Sequence, residues 1–280
     1  MPCVKGSEGE CSMQLERFRE AKADEIRQLQ KAWEAGLLAE RKKFVRPDFF
    51  GALAWHQGLP AVIAEYKRAS PSRGRICDSL SVEDVALAYA RSGASALSIL
   101  TEERYFDGQI GYLDRAARVL SERPLPILRK DFLFDPLQVY ATAQTQASAI
   151  LLIVRLTPDV RTLRTLRELA ERLGLCAVVE VFDRQDLALA RESGARIIQV
   201  NARDLERLSV DAKAPLALAG MCPPLASERW ICASGIATCA QLKECAEVGF
   251  SACLVGTALM ASGNPGQALT QLLGGDNRAH

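Results

Sequence analysis

The chain has 280 residues, of which 49% are hydrophobic and 25% charged, and its formal net charge is +1. That composition supplies enough apolar surface for a core and excludes a chain that is mainly disordered. The near-neutral balance argues against a generally basic nucleic-acid binder. At about 150 residues per domain the length fits one large domain or two small ones, and strand–helix barrels run to about 250 residues as one.

No run of about 18 apolar residues occurs, so no membrane-spanning helix is expected. Met1 to Glu10 is too polar for a signal peptide, which makes the expected location cytoplasmic. The nine cysteines are odd in number and none forms a Cys-x-x-Cys pair. They read as small buried hydrophobes in a reducing compartment. His56 and His280 are the only histidines, so no metal site is expected.

In chain order, Leu15, Phe18, Ile26, Leu29, Trp33 and Leu37 predict an amphipathic helix that ends at Arg41–Lys43 and Pro47. Asp48 stands where it would cap a second short helix, Phe49 to Trp55. Residues 1–60 thus form an N-terminal helical extension. It reads as a packing element or as a lid over one end of the next domain, and the two readings are compatible.

Eight short apolar runs follow: 61–66, 92–99, 126–128, 146–153, 176–181, 193–200, 230–233 and 248–255. Four of them open on a small-residue turn, with Ser95, Ser148, Ala195 and Ser251 equivalent, at intervals of 53, 47 and 56 residues. Continuous runs of this kind suit parallel strands covered on both faces. Between them lie helical patterns, such as Val82, Val85, Ala86 and Tyr89, or Leu163, Leu166, Leu169, Ala170 and Leu173 with Gly174 as a stop. Asp183 to Ser193 and Thr238 to Val248 continue the alternation. Eight units of about 25 residues predict an α/β fold, a (β/α)8 barrel of the TIM type over residues 61–272, as a single catalytic domain. An open doubly wound sheet is the alternative, but no Gly-x-Gly-x-x-Gly loop follows the first strand.

Chemistry in such barrels sits at the C-terminal ends of the strands. Polar groups fall there from seven strands: Glu65, Lys67, Ser70 and Ser72; Thr101 and Glu102; Arg129, Lys130 and Asp131; Glu180; Asn201 and Arg203; Ser234 and Gly235; Gly256 and Thr257. Strand four offers only Arg155. A carboxylate inside Val-Val-Glu-Val needs a partner or a function, and the plainer alternative for Glu180, Lys67 or Lys130 is a buried structural ion pair. Glycines after strands seven and eight suit a phosphate held by backbone N–H groups, with Ser234 and Thr257 as added donors.

Ala64-Glu-Tyr-Lys-Arg-Ala-Ser-Pro-Ser-Arg-Gly74 resembles the signature of the indole-3-glycerol phosphate synthase family. The blocks Leu100 to Phe106 with Gly108, Pro126 to Phe132 with Asp135-Pro136, Val179 to Val181, Val200 to Arg203, Ala233 to Ile236 and Leu254 to Gly256 continue it in order. The resemblance implies conversion of 1-(2-carboxyphenylamino)-1-deoxyribulose 5-phosphate to indole-3-glycerol phosphate, with loss of carbon dioxide and water and without a cofactor. It implies Lys130 as general acid and Glu180 as the carboxylate facing the anilino nitrogen. Glu65 would assist the dehydration, Lys67 would orient the carboxylate or act as acid in that step, and Asn201 would hydrogen-bond the substrate hydroxyls. Ser70, Arg203, Ser234, Gly235, Gly256 and Thr257 would hold the phosphate, with Phe106 and Phe132 as walls for the aromatic ring. The expected partner is a small phosphorylated substrate, with no nucleic acid and no membrane. The expected state is a monomer with weak association to other enzymes of the tryptophan pathway.

Two departures stand out. The family has Glu where this chain has Ala233, which removes a carboxylate near Glu180, Lys67 and Lys130, and it has a second Asn where this chain has Ala202. The first motivates a degenerate barrel that binds a phosphorylated ligand with little turnover. A barrel like phosphoribosylanthranilate isomerase is a further alternative, but its Cys at the end of strand one is here replaced by Glu65 and Lys67.

Overall fold

A computed structural model describes residues 8–38, 44–55, 58–71, 73–77, 79–203 and 209–275. Arg41–Lys43 and Ser72, singled out above, lie outside the described residues, as do His56 and His280. The barrel strands are β1 (Ala61–Tyr66), β2 (Ala96–Leu100), β3 (Ile127–Lys130), β4 (Ala149–Ile153), β5 (Cys176–Val181), β6 (Ile197–Asn201), β7 (Arg229–Ala233) and β8 (Ala252–Val255). Each pairs in parallel with its sequence neighbours, and β8 closes on β1 through Ala61↔Ala252 to Ala64↔Val255. This is the (β/α)8 barrel expected. The third strand runs two residues past the expected Pro126–Leu128, which brings Arg129 and Lys130 into the sheet.

The strands are buried on both faces, so alternation along each one decides where a side chain goes. Ala61 and Ile63, Leu128, Val178, Ile197 and Ile231 fill the barrel interior. Val62 and Ala64, Ile127, Val179 and Ile198 face the helices. The interior series continues upward into polar residues: Glu65 after Ile63, Lys130 after Leu128, Glu180 after Val178, and Gln199 and Asn201 after Ile197.

The helices end where local chemistry predicts. Ser81 accepts the Asp84 N–H ahead of the helix Val82–Arg91, and Thr238 forms a capping box with Gln241 ahead of Cys239–Glu247. Gly174 ends Val160–Arg172 with φ +78°, a left-handed residue suited to a helix stop. Arg155, the one polar group at the end of β4, turns away from the interior. It pairs with Asp183 at 2.8 Å and Asp186 at 2.9 Å, and lies 4.5 Å from the Phe182 ring centre.

The extension packs against the barrel at both ends. Helix α1 (Glu8–Glu34) is 27 residues, about 40 Å at 1.5 Å per residue. Near one end Phe18 stacks on Phe132, beyond β3, with ring centres 4.1 Å apart. Near the other, Trp33 meets Tyr140 of the helix Pro136–Ala143 at 4.8 Å. Helix α2 (Phe49–Ala52) then lies under the N-terminal ends of the strands, where Phe49 and Leu53 join the interior cluster. It is shorter than the expected Phe49 to Trp55. Asp48 occupies the cap position, but its side chain makes no capping bond. What anchors the segment is Arg46, which donates to the carbonyls of Ala147, Ala143 and Thr145 at 2.6, 2.8 and 3.0 Å. Arg196 and Arg229, at the starts of β6 and β7, approach the Phe50 ring at 4.6 and 4.9 Å.

Phe49 is 1% exposed and acts as a floor for the interior. Phe49→Ala is expected to destabilise the fold by about 3–5 kcal/mol, read as a lower urea midpoint. A change under about 1 kcal/mol would show that α2 is only laid against the surface.

Candidate active site

A cavity of about 460 Å³ opens at the C-terminal rim, within the range common for small-molecule sites. Every residue expected at the site lines it: Glu65, Lys67, Ser70, Phe106, Lys130, Phe132, Glu180, Asn201, Arg203, Ser234, Gly235, Gly256 and Thr257. Among the described residues no group of His, Cys, Asp and Glu stands where it would hold a metal ion.

Two Lys–Glu pairs face the interior. Lys67 Nζ lies 2.8 Å from Glu65 Oε1, and Lys130 Nζ lies 3.5 Å from Glu180 Oε2. Glu65 and Glu180 are 3% and 2% exposed, so neither carboxylate has water enough to stand alone. Burial pushes the Glu65 carboxyl up. The charges of Lys67 and then Lys130, with a hydrogen bond from Ser98, outweigh burial and hold it below the usual value. Ser98 reaches it because Glu65 and Ser98 are register partners on β1 and β2. Glu180 is held by Gln199, whose amide Nε2 donates to Glu180 Oε2 from the adjoining strand.

Gly256 owes its place to this cluster. A Cβ there would come within 2.9 Å of Glu65 Cδ, so any side chain would displace the carboxylate. Ser234 has φ +71°, a strained conformation for a residue with a Cβ, and Gly235 follows at φ +81°. Ser234 Oγ donates to Asn201 Oδ1 at 2.8 Å, and the Arg203 N–H donates to the same oxygen at 3.0 Å. The Ser234 bond ties the turn after β7 to the end of β6, and the Arg203 bond fixes the Asn201 amide there.

Two arginines approach the cavity from the β1 and β6 loops. Burial lowers the Arg203 guanidinium, Glu65 opposes that, and Arg73 adds to it as a like charge. Ser70 sits beside them on a two-stranded ribbon, Ala69–Ser70 with Gly74–Arg75. On the opposite wall Phe106 and Phe132 lie 6.2 Å apart, with Phe18 stacked behind Phe132.

The residue-by-residue expectation missed Gln199, Phe18 and Arg73, while Glu102 and Asp131, expected at the rim without a role, line the cavity. Gln199 carried a signal, as a polar residue inside Ile-Ile-Gln-Val. Arg73 lay inside the first quoted motif but drew no role. Phe18 carried none beyond its helical face, because its contact with the cavity depends on where α1 docks. Of the polar residues at the strand ends, Thr101 and Arg129 point outward and bond Asp131 between strand and helix. Ala233 is buried and lines the cavity wall, so the position expected to carry a carboxylate does face the site.

Comparisons with known proteins agree. The family model for indole-3-glycerol phosphate synthase matches residues 15–272. An indole-3-glycerol phosphate synthase of Desulfotalea psychrophila is 36% identical over 92% of this chain and 97% of its own length. One of Carboxydothermus hydrogenoformans is 37% identical over 93% and 100%. Among solved structures, an N-acetylmannosamine-6-phosphate 2-epimerase of Clostridium perfringens shares the fold. Its TM-score is 0.59 at 14% identity, over 78% of this chain and 93% of its own. The chain therefore belongs to the indole-3-glycerol phosphate synthase family.

Proposed function

We propose that the chain performs its family's reaction with Lys130 as the general acid. That reaction is the ring closure of 1-(2-carboxyphenylamino)-1-deoxyribulose 5-phosphate, with decarboxylation and dehydration, to indole-3-glycerol phosphate, a step of tryptophan biosynthesis. The observation that carries this reading is the Lys130–Glu180 pair, which lines the rim cavity beside its aromatic wall.

In ring closure an aromatic carbon attacks the C2′ carbonyl, whose oxygen must gain a proton. Lys130 Nζ, with 18% of its side chain exposed, is the ammonium able to meet substrate without leaving its partner. Glu180 faces the positive charge that develops on the anilino nitrogen. Gln199 occupies its Oε2, which leaves Oε1 for that contact. Loss of carbon dioxide removes a charge, so it is favoured where Phe106, Phe132 and Phe18 exclude water. Glu65, held ionised by Lys67, takes the ring proton in the dehydration, and Lys67 delivers a proton to the departing hydroxide. Asn201 has its oxygen engaged twice, so its Nδ2 is the group that meets substrate hydroxyls. The substrate phosphate seats between Ser234–Gly235 and Gly256–Thr257. There its negative charge relieves the repulsion between Arg73 and Arg203.

The product is an indole and the substrate is not, so a rise in indole fluorescence follows the reaction directly. Lys130→Ala is expected to lower kcat by at least about 100-fold, and Glu180→Gln by a comparable factor. Full activity in both would sink this assignment. Absence of signal in the unmodified protein, with substrate binding retained, would favour the degenerate barrel that Ala233 suggests. Ala233→Glu is expected to raise turnover or move the pH profile, since it returns a carboxylate to the wall of the cavity. No effect on either would mean that the missing carboxylate does not matter here.

A further inference from the structure

Lys22 lies on α1, outside the barrel, yet it is 3% exposed. Its Nζ is 2.5 Å from Asp131 Oδ1 and 2.7 Å from Glu25 Oε2. Arg129 Nη2 lies 2.9 Å from both Asp131 Oδ2 and Glu25 Oε1. Thr101 donates to Asp131 at 2.5 Å, and Arg129 donates to Thr101 at 3.0 Å and to Thr142 at 2.9 Å. The cluster joins α1, the end of β2, β3 and the helix Pro136–Ala143. Its charges balance: Lys22 and Arg129 against Asp131 and Glu25.

This cluster sits directly behind Lys130. Arg129 and Asp131 are its two chain neighbours, and alternation sends them outward while Lys130 points inward. Both are fixed by bonds from their ends, so the strand end that carries Lys130 has little freedom to tilt. Without Lys22, one guanidinium would serve two carboxylates, and Asp131 at 3% exposure would lose its closest counter-charge. A third carboxylate, Glu102, is 1% exposed and lines the active-site cavity, and the charge of Lys22 favours its ionised form. Excess negative charge on the outer face of β3 would draw the Lys130 ammonium back from the cavity.

We propose that Lys22, from a helix outside the barrel, is a positioning residue for Lys130: it clamps Asp131 and so keeps the ammonium one residue earlier aimed at Glu180 and the substrate. This rests on Lys130 being the acid. Full activity in Lys130→Ala would sink that role, whereas an impaired Lys130→Ala beside a fully active Lys22→Met would sink only this proposal.

The test is steady-state kinetics by indole fluorescence on the full chain. Lys22→Met keeps the stem and removes the charge. Its kcat is expected to fall by about 10- to 100-fold with KM within about threefold of the parent, and Lys22→Arg is expected to restore most of the loss. In a Lys130→Ala background, Lys22→Met is expected to cost nothing further, because the residue it positions is gone. Equal losses in both backgrounds, or no rescue by Arg, would mark a structural role and overturn the proposal. Should Lys22→Met fail to fold, the pair Lys22→Met with Asp131→Asn removes the buried imbalance. Lowered kcat at an unchanged melting temperature is then expected, and parental kcat would overturn the proposal.

Discussion

The site depends on one constraint: a carboxylate inside a closed barrel has almost no water and must find its counter-charge among neighbouring strand ends. Glu65 and Glu180 meet that demand in different ways. Glu65 takes Lys67 two residues on along its own chain, the next inward position of the same alternation. Glu180 takes Lys130 from two strands away and the Gln199 amide from the next strand. In the proposed mechanism each ammonium that stabilises a carboxylate also donates a proton to the substrate. Stability and chemistry therefore use the same atoms, and this limits how either partner may change.

The same constraint orders the surroundings. Gly256 has no side chain because Glu65 occupies the space beside it. Ser234 accepts a strained backbone because its hydroxyl ties β7 to Asn201. The charge of Arg73 opposes that of Arg203, and under the proposed function the substrate phosphate would offset both. Polar and apolar walls divide the cavity, and under the proposed function the phosphate end of the substrate would meet the first and the aromatic end the second.

The barrel was legible because alternation and apolar runs are local. Ile63-Ala-Glu-Tyr-Lys67 shows the inward series without reference to any other strand. The polar residues at strand ends were legible because topology sends all of them to one rim. What escaped was set by contacts across long stretches of sequence. Phe18 is an ordinary apolar position on an amphipathic helix until α1 docks it on Phe132, 114 residues later. Asp131 and Arg129 read as rim groups, but two of the three consecutive charges at the end of β3 face outward to α1. The extension had been read as a packing element or a lid. Phe49 and Leu53 floor the interior, as a packing element would, and Phe18 lines the cavity.

The central claim is that ion pairing holds a fully buried carboxylate ionised. The most direct measurement is carboxyl 13C NMR, with Glu65 identified by its absence in Glu65→Gln and unfolding free energies followed over the same pH range. The native value of Glu65 lies below that of the unfolded chain, near 4.5, so the native state binds fewer protons between the two. The stabilisation is then fully present above about pH 4.5 and is lost as pH falls through the lower native value. The account predicts a Glu65 midpoint below 4.5 and a stability advantage over Glu65→Gln that fades only at acid pH. A midpoint at or above the ordinary value, with an advantage that disappears near neutrality, would contradict it.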